Sequence, residues 1–492
     1  MRNDNGLNGD AQRIEQMVWM FFLKVYDTQE ETWEYKAMID KTKFVSIIPE
    51  RLRWRNWAVD HKDGEALTGD ALLNFVNNDL FPSLKQLPID SETPRYKAIV
   101  KEVFEDINQY MKDGTSLRQV INVINEIEFD DAKDRHMFGD IYEGILKSLQ
   151  SAGNAGEFYT PRALTDFIIK QLDPRLGEVV GDFTSGTGGF LTSALHHLQP
   201  QVKTIDDGKL FQNSVIGQEW KPLPYMLSIT NLLLHDIEAP NIRNCDSLAT
   251  KMSDFTEADK VDVIAMNPPY GGATKAENKK SFPMEFRSSE TSDLFVVLIM
   301  YRLKKHGRAA IILPDGFLTG VDGVKLAIKE KLIRDFNLHT IIRLPGSIFS
   351  PYTSIATNVL FFNNERAEGA DDVNATKQTW FYRLDMPKGY KHFSKTKPMK
   401  LEHCQPIIDW WNDRKEITDD EGNFKSCCLT AQQLLDLNCD FDQCKFPKTV
   451  EEILPPAELL ANYYKQRETL GNEIDKTLSQ IQKILGINID NK

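Results

Sequence analysis

The 492-residue sequence lacks any long uninterrupted apolar run. A membrane-spanning helix needs about 18 or more consecutive apolar residues, so we expect no membrane span. The N-terminus also lacks the basic and then apolar pattern of a secretory signal, which favours a cytoplasmic location. With 41% hydrophobic and 27% charged residues, the composition is that of an ordinary globular protein.

Cysteine is scarce. Six cysteines are too few for a disulfide scaffold in so long a chain. Five of them lie within residues 404–444, beside His403, but no Cys-x-x-Cys pair of the kind typical of zinc sites is present. The favoured interpretation is a set of buried or surface thiols and no metal, with a zinc site as the alternative.

Basic residues are in deficit, since 59 Lys and Arg stand against 72 Asp and Glu for a net charge of −13. A protein that binds DNA unaided usually has a basic face, because neutralised phosphates supply much of the affinity. The charge does not exclude a local basic groove. It indicates that another chain supplies part of the grip on any nucleic acid.

The most informative stretch is Asn267–Tyr270, which reads N-P-P-Y. It follows the apolar run 261–265, which predicts a buried parallel strand, and two prolines must end that strand. Open α/β sheets bind ligands at this end of a strand. The side-chain carbonyl of Asn267, the backbone carbonyl of Pro268 and the ring of Tyr270 suit a planar ring with an exocyclic amino group. An ordinary strand-ending turn is the alternative, although such a match arises by chance in roughly 1% of chains this long.

A glycine-rich turn links the predicted strand 178–182 to a helix. Glycines at such a turn let the backbone approach a ligand closely. The pattern alone is compatible with many nucleotide or nucleoside sites. Its candidate binding residues are Asp182, Thr184, Ser185, Gly186, Thr187 and Gly188.

Two acidic residues follow later predicted strands. Glu219 ends the strand 215–219, a position that commonly binds ribose hydroxyls, and a surface acid is the alternative. Asp246 follows the helical stretch 226–235 and is placed at the end of the next strand, although turns favour Asp in any case.

A further motif follows the flexible loop 151–156, and its members are Glu157, Phe158, Tyr159, Thr160, Pro161 and Arg162. Thr160 is a good N-cap and Pro161 a good first residue of the next helix. A helix N-terminus behind a glycine-rich loop can bind a carboxylate, but a plain helix start explains the motif equally well.

Three regions are predicted. Residues 1–130 form a helical N-terminal domain, which is either a scaffold or a surface for DNA or a partner. Residues 131–450 alternate strands and helices as far as 362, which predicts an α/β fold with a doubly wound, mostly parallel sheet. Residues 451–492 hold one long helix with a narrow apolar stripe near the 3.5-residue period. The stripe packs back on the body or binds a partner helix, and the polar opposite face favours the partner.

The order of these motifs resembles the N6-adenine DNA methyltransferases, and more closely the modification subunit of type I restriction–modification systems. The resemblance covers nearly the whole chain and includes a further motif, Thr357–Phe362. One departure lies at 183–185, where Phe-Thr-Ser stands in place of the usual Pro-Ala/Thr-Cys/Ala.

The resemblance implies that S-adenosylmethionine is the methyl donor and that the acceptor is the N6 amino group of an adenine flipped out of duplex DNA. Asn267 and Pro268 would accept the two amino hydrogens, and Tyr270 would stack on the base. The motif at 157–162, the glycine turn, Glu219 and Asp246 would surround the cofactor. Implied partners are a specificity subunit, a restriction subunit and a second copy of the chain.

Two other functions compete with this interpretation. Protein glutamine methyltransferases use a similar N-P-P-Y turn, but the long helical N-terminal region and the C-terminal helix argue against that activity. A non-catalytic assembly subunit with a decayed site is the second alternative, which the intact turn opposes.

Overall fold

The computed structural model describes residues 1, 4–60, 66–127, 139, 142–148, 159–321, 323–366, 373–394, 396–447 and 455–485. The chain forms two compact units, Met1–Lys445 and Phe446–Lys492. The second unit contains one long helix, Pro456–Leu485, as its apolar periodicity predicts. In the described part, none of the helices combines the length and the apolar character that crossing a bilayer requires.

The N-terminal region is helical. The long helix α1 begins at Asp10 and buries a row of aromatic side chains. Trp19 packs edge-on against Phe81 with ring centroids 5.1 Å apart, and Tyr26 packs in the same way against Trp33 at 5.7 Å. Together with buried aliphatic side chains such as Leu72 and Val100, these rings form the apolar core of the region. Its helices are α1 Asp10–Ile39, α2 Trp54–Trp57, α3 Gly69–Phe75, α4 Phe81–Lys85, α5 Arg95–Glu105 and α6 Gly114–Asn125.

One mixed sheet dominates the first unit. Its strands are β1 Val180–Asp182, β2 Val215–Glu219, β3 Ile242–Asn244, β4 Val261–Met266, β5 Leu303–Pro314, β6 Asn337–Arg343, β7 Thr357–Asn363, β8 Gln378–Arg383, β9 Ile417–Thr418 and β10 Phe424–Thr430. Within the described residues their order is β3-β2-β1-β4-β5-β7-β6-β8-β10-β9. Five neighbouring pairs are parallel and four are antiparallel. The α/β class is confirmed, and the antiparallel pairs gather in the second half of the sheet.

The sheet extends further than the sequence pattern suggests. The prediction ends the sheet at residue 362 and leaves 380–382 as one short strand. In the structure, that segment is β8, which pairs in parallel with β6 and continues through β10 to β9. The polar sequence around these strands hides them, because short strands with few apolar residues give little periodic signal.

Helices cover both faces of the central strands. Along β4, Val263 and Ala265 belong to one hydrophobic cluster, whereas Ile264 and Met266 belong to another. Burial on both faces is why residues 263–266 of this strand form a continuous apolar run rather than an alternating one. The surrounding helices are α7 Arg162–Leu172, α8 Gly189–Leu198, α9 Ile205–Gln212, α10 Pro222–Leu234, α11 Ala276–Lys279, α12 Thr291–Arg302, α13 Asp315–Thr319, α14 Gly323–Asp335, α15 Gln405–Asn412 and α16 Ala431–Asp436.

The first five strands run in one direction, so their carboxyl ends meet at one edge of the sheet. We call it the carboxyl edge. The glycine turn follows β1, Glu219 ends β2, and Asn267 follows β4. Since β4 and β2 flank β1, the topology brings residues from distant parts of the sequence together.

Candidate active site

The Asn267 side chain is held at both ends. Its Nδ2 donates a hydrogen bond to Thr160 Oγ1 at 3.0 Å, and its Oδ1 accepts one from the Tyr270 hydroxyl. Asn267 and Tyr270 are half-buried, and Pro268 is buried between them. The Thr160 contact turns the amide nitrogen away from Tyr270, so the side-chain oxygen faces the tyrosine.

The contact to Asn267 also corrects the predicted role of Thr160 as a helix cap. Helix α7 begins at Arg162, preceded by Pro161 in an extended conformation with φ −53° and ψ 129°, and no side chain among the described residues caps it. Thr160 instead meets a residue 107 positions further along the chain. The Thr160 hydroxyl oxygen, which the local sequence pattern assigns to the helix start, accepts a hydrogen bond from a distant residue instead.

The glycine turn needs its glycines. Gly186 and Gly188 have φ of +52° and +79°, in the left-handed region that residues with a Cβ rarely adopt. A Cβ at Gly188 would lie 2.8 Å from Ser228 Oγ. The backbone N–H of Gly186 donates to Glu219 Oε2 at 2.9 Å. The turn and the acid at the end of β2 therefore form one connected structure.

Two buried carboxylates stand side by side here. Asp182 Oδ1 accepts the Thr184 N–H at 3.0 Å, and Glu219 Oε1 accepts the Lys221 N–H at 2.8 Å. Burial and the nearby Glu219 raise the pKa of Asp182 to about 8, and burial raises the pKa of Glu219. Two carboxylates that are costly to ionise favour a ligand that brings positive charge.

Two hydroxyls of the turn have no hydrogen-bond partner among the residues that the structure describes. Ser185 Oγ and Thr187 Oγ1 are buried and accept or donate no hydrogen bond within the described part of the chain. Buried polar groups are nearly always satisfied in folded proteins. Their position beside the carboxylates therefore indicates a polar ligand.

One cavity of about 430 Å³ connects these groups, a size typical of small-molecule sites. The predicted site residues that line it are Thr160, Asp182, Thr184, Ser185, Gly186, Thr187, Glu219, Asp246, Asn267 and Tyr270. The glycine turn and the Asn267 turn thus open into the same space.

Other predicted residues lie outside this cavity. Tyr159 and Arg162 both bind Glu143, at 2.7 Å and 2.8 Å, and Arg162 lines a separate cavity of about 190 Å³. Pro161, Gly188 and Pro268 do not line the main cavity. Glu157 and Phe158 lie outside the described residues.

The sequence-based prediction misses several residues that line the cavity, among them Trp220, Lys275 and Asn278. Trp220, directly after Glu219, is 52% exposed, and the ammonium of Lys275 lies 4.2 Å from its ring centroid. Asn278 Nδ2 donates to Asp246 Oδ2 at 2.8 Å. A tryptophan directly after the acidic residue that ends a predicted strand is a signal that could be seen in the sequence. The loop 271–290 is polar in sequence, and its contacts with the site depend on the fold.

Comparison with known proteins matches two family models, one described as N-6 DNA Methylase over residues 133–434 and one as HsdM N-terminal domain over residues 1–124. The chain is 47% identical to the type I restriction enzyme EcoEI methylase subunit of Escherichia coli, over 99% of this chain and 95% of that protein. It is 33% identical to the EcoKI methylase subunit of Escherichia coli K12, over 80% of this chain and 71% of that protein.

Solved structures agree with these matches. A modification subunit of a putative type I restriction enzyme from Vibrio vulnificus superposes with a TM-score of 0.75 and 38% identity, over 88% of this chain and 90% of that one. A chain from a structure of type I restriction–modification complex assembly has a TM-score of 0.77 and 30% identity, over 98% of this chain and 96% of that one.

The chain belongs to the N-6 DNA methylases.

Its relatives are the methylase subunits of type I restriction–modification systems, and its reaction is the transfer of a methyl group from S-adenosylmethionine to the N6 amino group of adenine in DNA. This assignment decides against a protein glutamine methyltransferase and against a non-catalytic subunit. The cavity of the methylase fits the cofactor, because it offers unpaired hydroxyls to polar groups and buried carboxylates to a cation.

Proposed function

We propose that the methylase binds its cofactor along the glycine turn and places an extruded adenine against Asn267 and Tyr270. The observation that supports this arrangement is that both turns line one cavity. A methyl donor and its acceptor must approach within contact distance in a fixed orientation, and a shared cavity meets that requirement.

Four side chains at one end of the cavity would recognise the cofactor. Glu219 accepts the ribose hydroxyls, since each of its oxygens keeps acceptor capacity beyond one backbone N–H. The hydroxyls of Ser185 and Thr187 satisfy polar groups of the cofactor, and Asp182 supplies negative charge. When bound, S-adenosylmethionine supplies an electrophilic methyl group on a cationic sulfur.

Asn267 and Pro268 would activate the amino group. The lone pair of that nitrogen is conjugated with the adenine ring, which makes it a poor nucleophile. Accepting its two hydrogens at Asn267 Oδ1 and the Pro268 carbonyl favours a tetrahedral nitrogen, which is electrostatic preorganisation rather than general-base catalysis. Pro268 is buried in the structure, so its carbonyl contributes only once the turn yields to the entering base.

Thr160 would position Asn267 rather than bind the cofactor. Its hydroxyl is the partner of the amide nitrogen, and without it the amide is free to turn its oxygen away from the base. Arg162 and Tyr159, two and one residues away, are tied to Glu143 and would hold this segment in place.

Tyr270 would stack on the extruded ring. Extruding a base costs a few kcal/mol, and an aromatic face recovers part of that cost. The ring is steadied by Phe349, whose centroid lies 6.3 Å away at an interplanar angle of 74°.

At the level of the assembly, residues 1–130 would form the helical domain, 131–450 the catalytic domain and 451–492 a helix that binds a partner through its apolar stripe. A specificity subunit that recognises the DNA sequence is the partner that we propose for this helix. A restriction subunit and a second copy of the methylase would complete the complex. The net charge of −13 supports a second DNA-binding chain.

The test is methylation of duplex DNA with labelled cofactor by the purified complex. Asn267→Ala should lower transfer by roughly 100-fold or more while cofactor affinity, measured by calorimetry, stays unchanged. Asn213→Ala, at an exposed asparagine before β2, is the matched control. Unchanged transfer by Asn267→Ala would reject the catalytic role, and label on protein but not on DNA would reject the substrate.

A further inference from the structure

A lysine-rich segment leaves the sheet after β8. Residues 386–400 contain no Asp or Glu in a protein that has 72 of them, and the lysines present are Lys388, Lys391, Lys395, Lys397 and Lys400. We call the exposed lysines Lys388, Lys391, Lys397 and Lys400 the lysine strip. It is a patch of positive charge on an acidic protein.

The topology places the lysine strip at the carboxyl edge. Strand β5 is antiparallel to β7, which is antiparallel to β6, so β5 and β6 run in the same direction. Strand β8 is parallel to β6, with Arg343 opposite Arg383. The chain after β8 therefore leaves the sheet on the same side as the Asn267 turn.

Direct contacts then connect this segment to the base-binding tyrosine. Phe349, in the loop after β6, packs edge-on against Tyr270. Two residues before it, Ser347 Oγ accepts the backbone N–H of Phe393 at 2.9 Å. Phe393 is 2% exposed and is stacked on His403 with ring centroids 5.6 Å apart. The buried Phe393 anchors the lysine strip, whose members lie on either side of it in the sequence.

Most of the positive charge in the lysine strip is not neutralised. Among the described residues, only Lys400 has a carboxylate within 4.0 Å, that of Glu402 at 3.4 Å. Lys397 lies 5.9 Å from the ring centroid of Tyr390. Exposed, unpaired ammonium groups beside a site that receives a nucleic acid are suited to phosphates, which carry the sequence-independent part of DNA affinity.

We propose that the lysine strip binds the DNA backbone beside the extruded adenine. The proposal depends on the function given above, since it takes duplex DNA as the substrate of the cavity. It adds which surface of this acidic methylase meets the phosphates. These contacts would set the position of the DNA without reading its sequence.

The experiment compares two triple variants in the purified complex, each with lysine changed to glutamine. The first is Lys388→Gln, Lys391→Gln and Lys397→Gln. The control is Lys203→Gln, Lys209→Gln and Lys305→Gln, three exposed lysines at or before the amino ends of β2 and β5, on the opposite edge of the sheet. The affinity for a duplex is measured by fluorescence anisotropy across salt concentrations.

The first variant should lower the slope of log affinity against log salt by roughly two to three, because each lost phosphate contact removes about 0.9. Its cofactor affinity should stay at the wild-type value, and the control should keep the wild-type slope. An unchanged slope in the first variant would overturn the proposal, as would a loss of complex assembly with no change in slope. Methylation of DNA by the wild type in the same preparation reports separately on the proposed function.

Discussion

In the structure, the Tyr270 hydroxyl occupies the hydrogen-bonding position that we assign to the substrate. Its hydroxyl donates to Asn267 Oδ1, the atom that we assign to the adenine amino group. The base must break this hydrogen bond to reach the amide oxygen. A neutral hydrogen bond contributes roughly 0.5–1.5 kcal/mol net, so Tyr270→Phe should strengthen binding of the extruded base by about 2- to 12-fold.

Removal of the whole ring should weaken binding of the base rather than strengthen it. Stacking on an aromatic side chain is worth roughly 1–3 kcal/mol per base, so Tyr270→Ala should weaken productive DNA binding by about 5- to 150-fold. That variant also removes the edge-on contact with Phe349. The two substitutions therefore separate the hydroxyl from the ring.

The assay is steady-state methylation of duplex DNA with labelled cofactor by the purified complex. Tyr270→Phe should lower KM for DNA and keep kcat, whereas Tyr270→Ala should raise KM. Tyr301→Phe, a hydroxyl deletion at the far end of α12, is the matched control. If Tyr270→Phe loses as much activity as Tyr270→Ala, the hydroxyl acts in the reactive complex. The interpretation that the hydroxyl only competes with the base for Asn267 Oδ1 would then be wrong.

Two further predictions concern the residues on either side of the cavity. Thr160→Val should lower kcat by about 2- to 12-fold with cofactor affinity unchanged, because it removes the partner of the Asn267 amide nitrogen. The control Thr160→Ser keeps the hydroxyl and should retain the wild-type rate. A raised cofactor Kd with normal kcat would show instead that Thr160 belongs to the cofactor site. The pKa of about 8 at Asp182 means that this carboxyl is largely protonated below pH 8 without a ligand, and a cationic cofactor favours the ionised form. Cofactor affinity should therefore rise with pH up to about 8 and then level off, with release of a proton below that pH. Calorimetry at several pH values tests this, and Asp182→Asn should flatten the profile; a flat wild-type profile would contradict the assignment.

Local chemistry made part of the site predictable. Prolines must stop a strand, glycines must occupy left-handed turns, and an apolar run must be buried, so the elements around Gly186 and Asn267 follow from the sequence. The residues at the ends of β1, β2 and β4 were placed correctly for the same reason. These constraints act over a few residues.

The predictions that failed depend on distant partners. Thr160 has the local pattern of a helix cap, yet its hydroxyl forms a hydrogen bond with Asn267, which lies 107 residues further along the chain. Strands β8, β9 and β10 lie at one side of the sheet within a polar stretch of sequence, so their apolar pattern is weak although Phe381 and Tyr382 of β8 are buried. The Lys275 contact with Trp220 likewise exists only because a loop returns across the cavity.

The sequence by itself therefore determined the strand ends, the turns and the family to which they belong, because backbone sterics and burial act on neighbouring residues. Only the tertiary structure decided which of these turns share a cavity, which hydroxyls stay unpaired inside it and which lysines stand at its edge. Those relations depend on the order and direction of strands in the sheet, which no single stretch of sequence encodes.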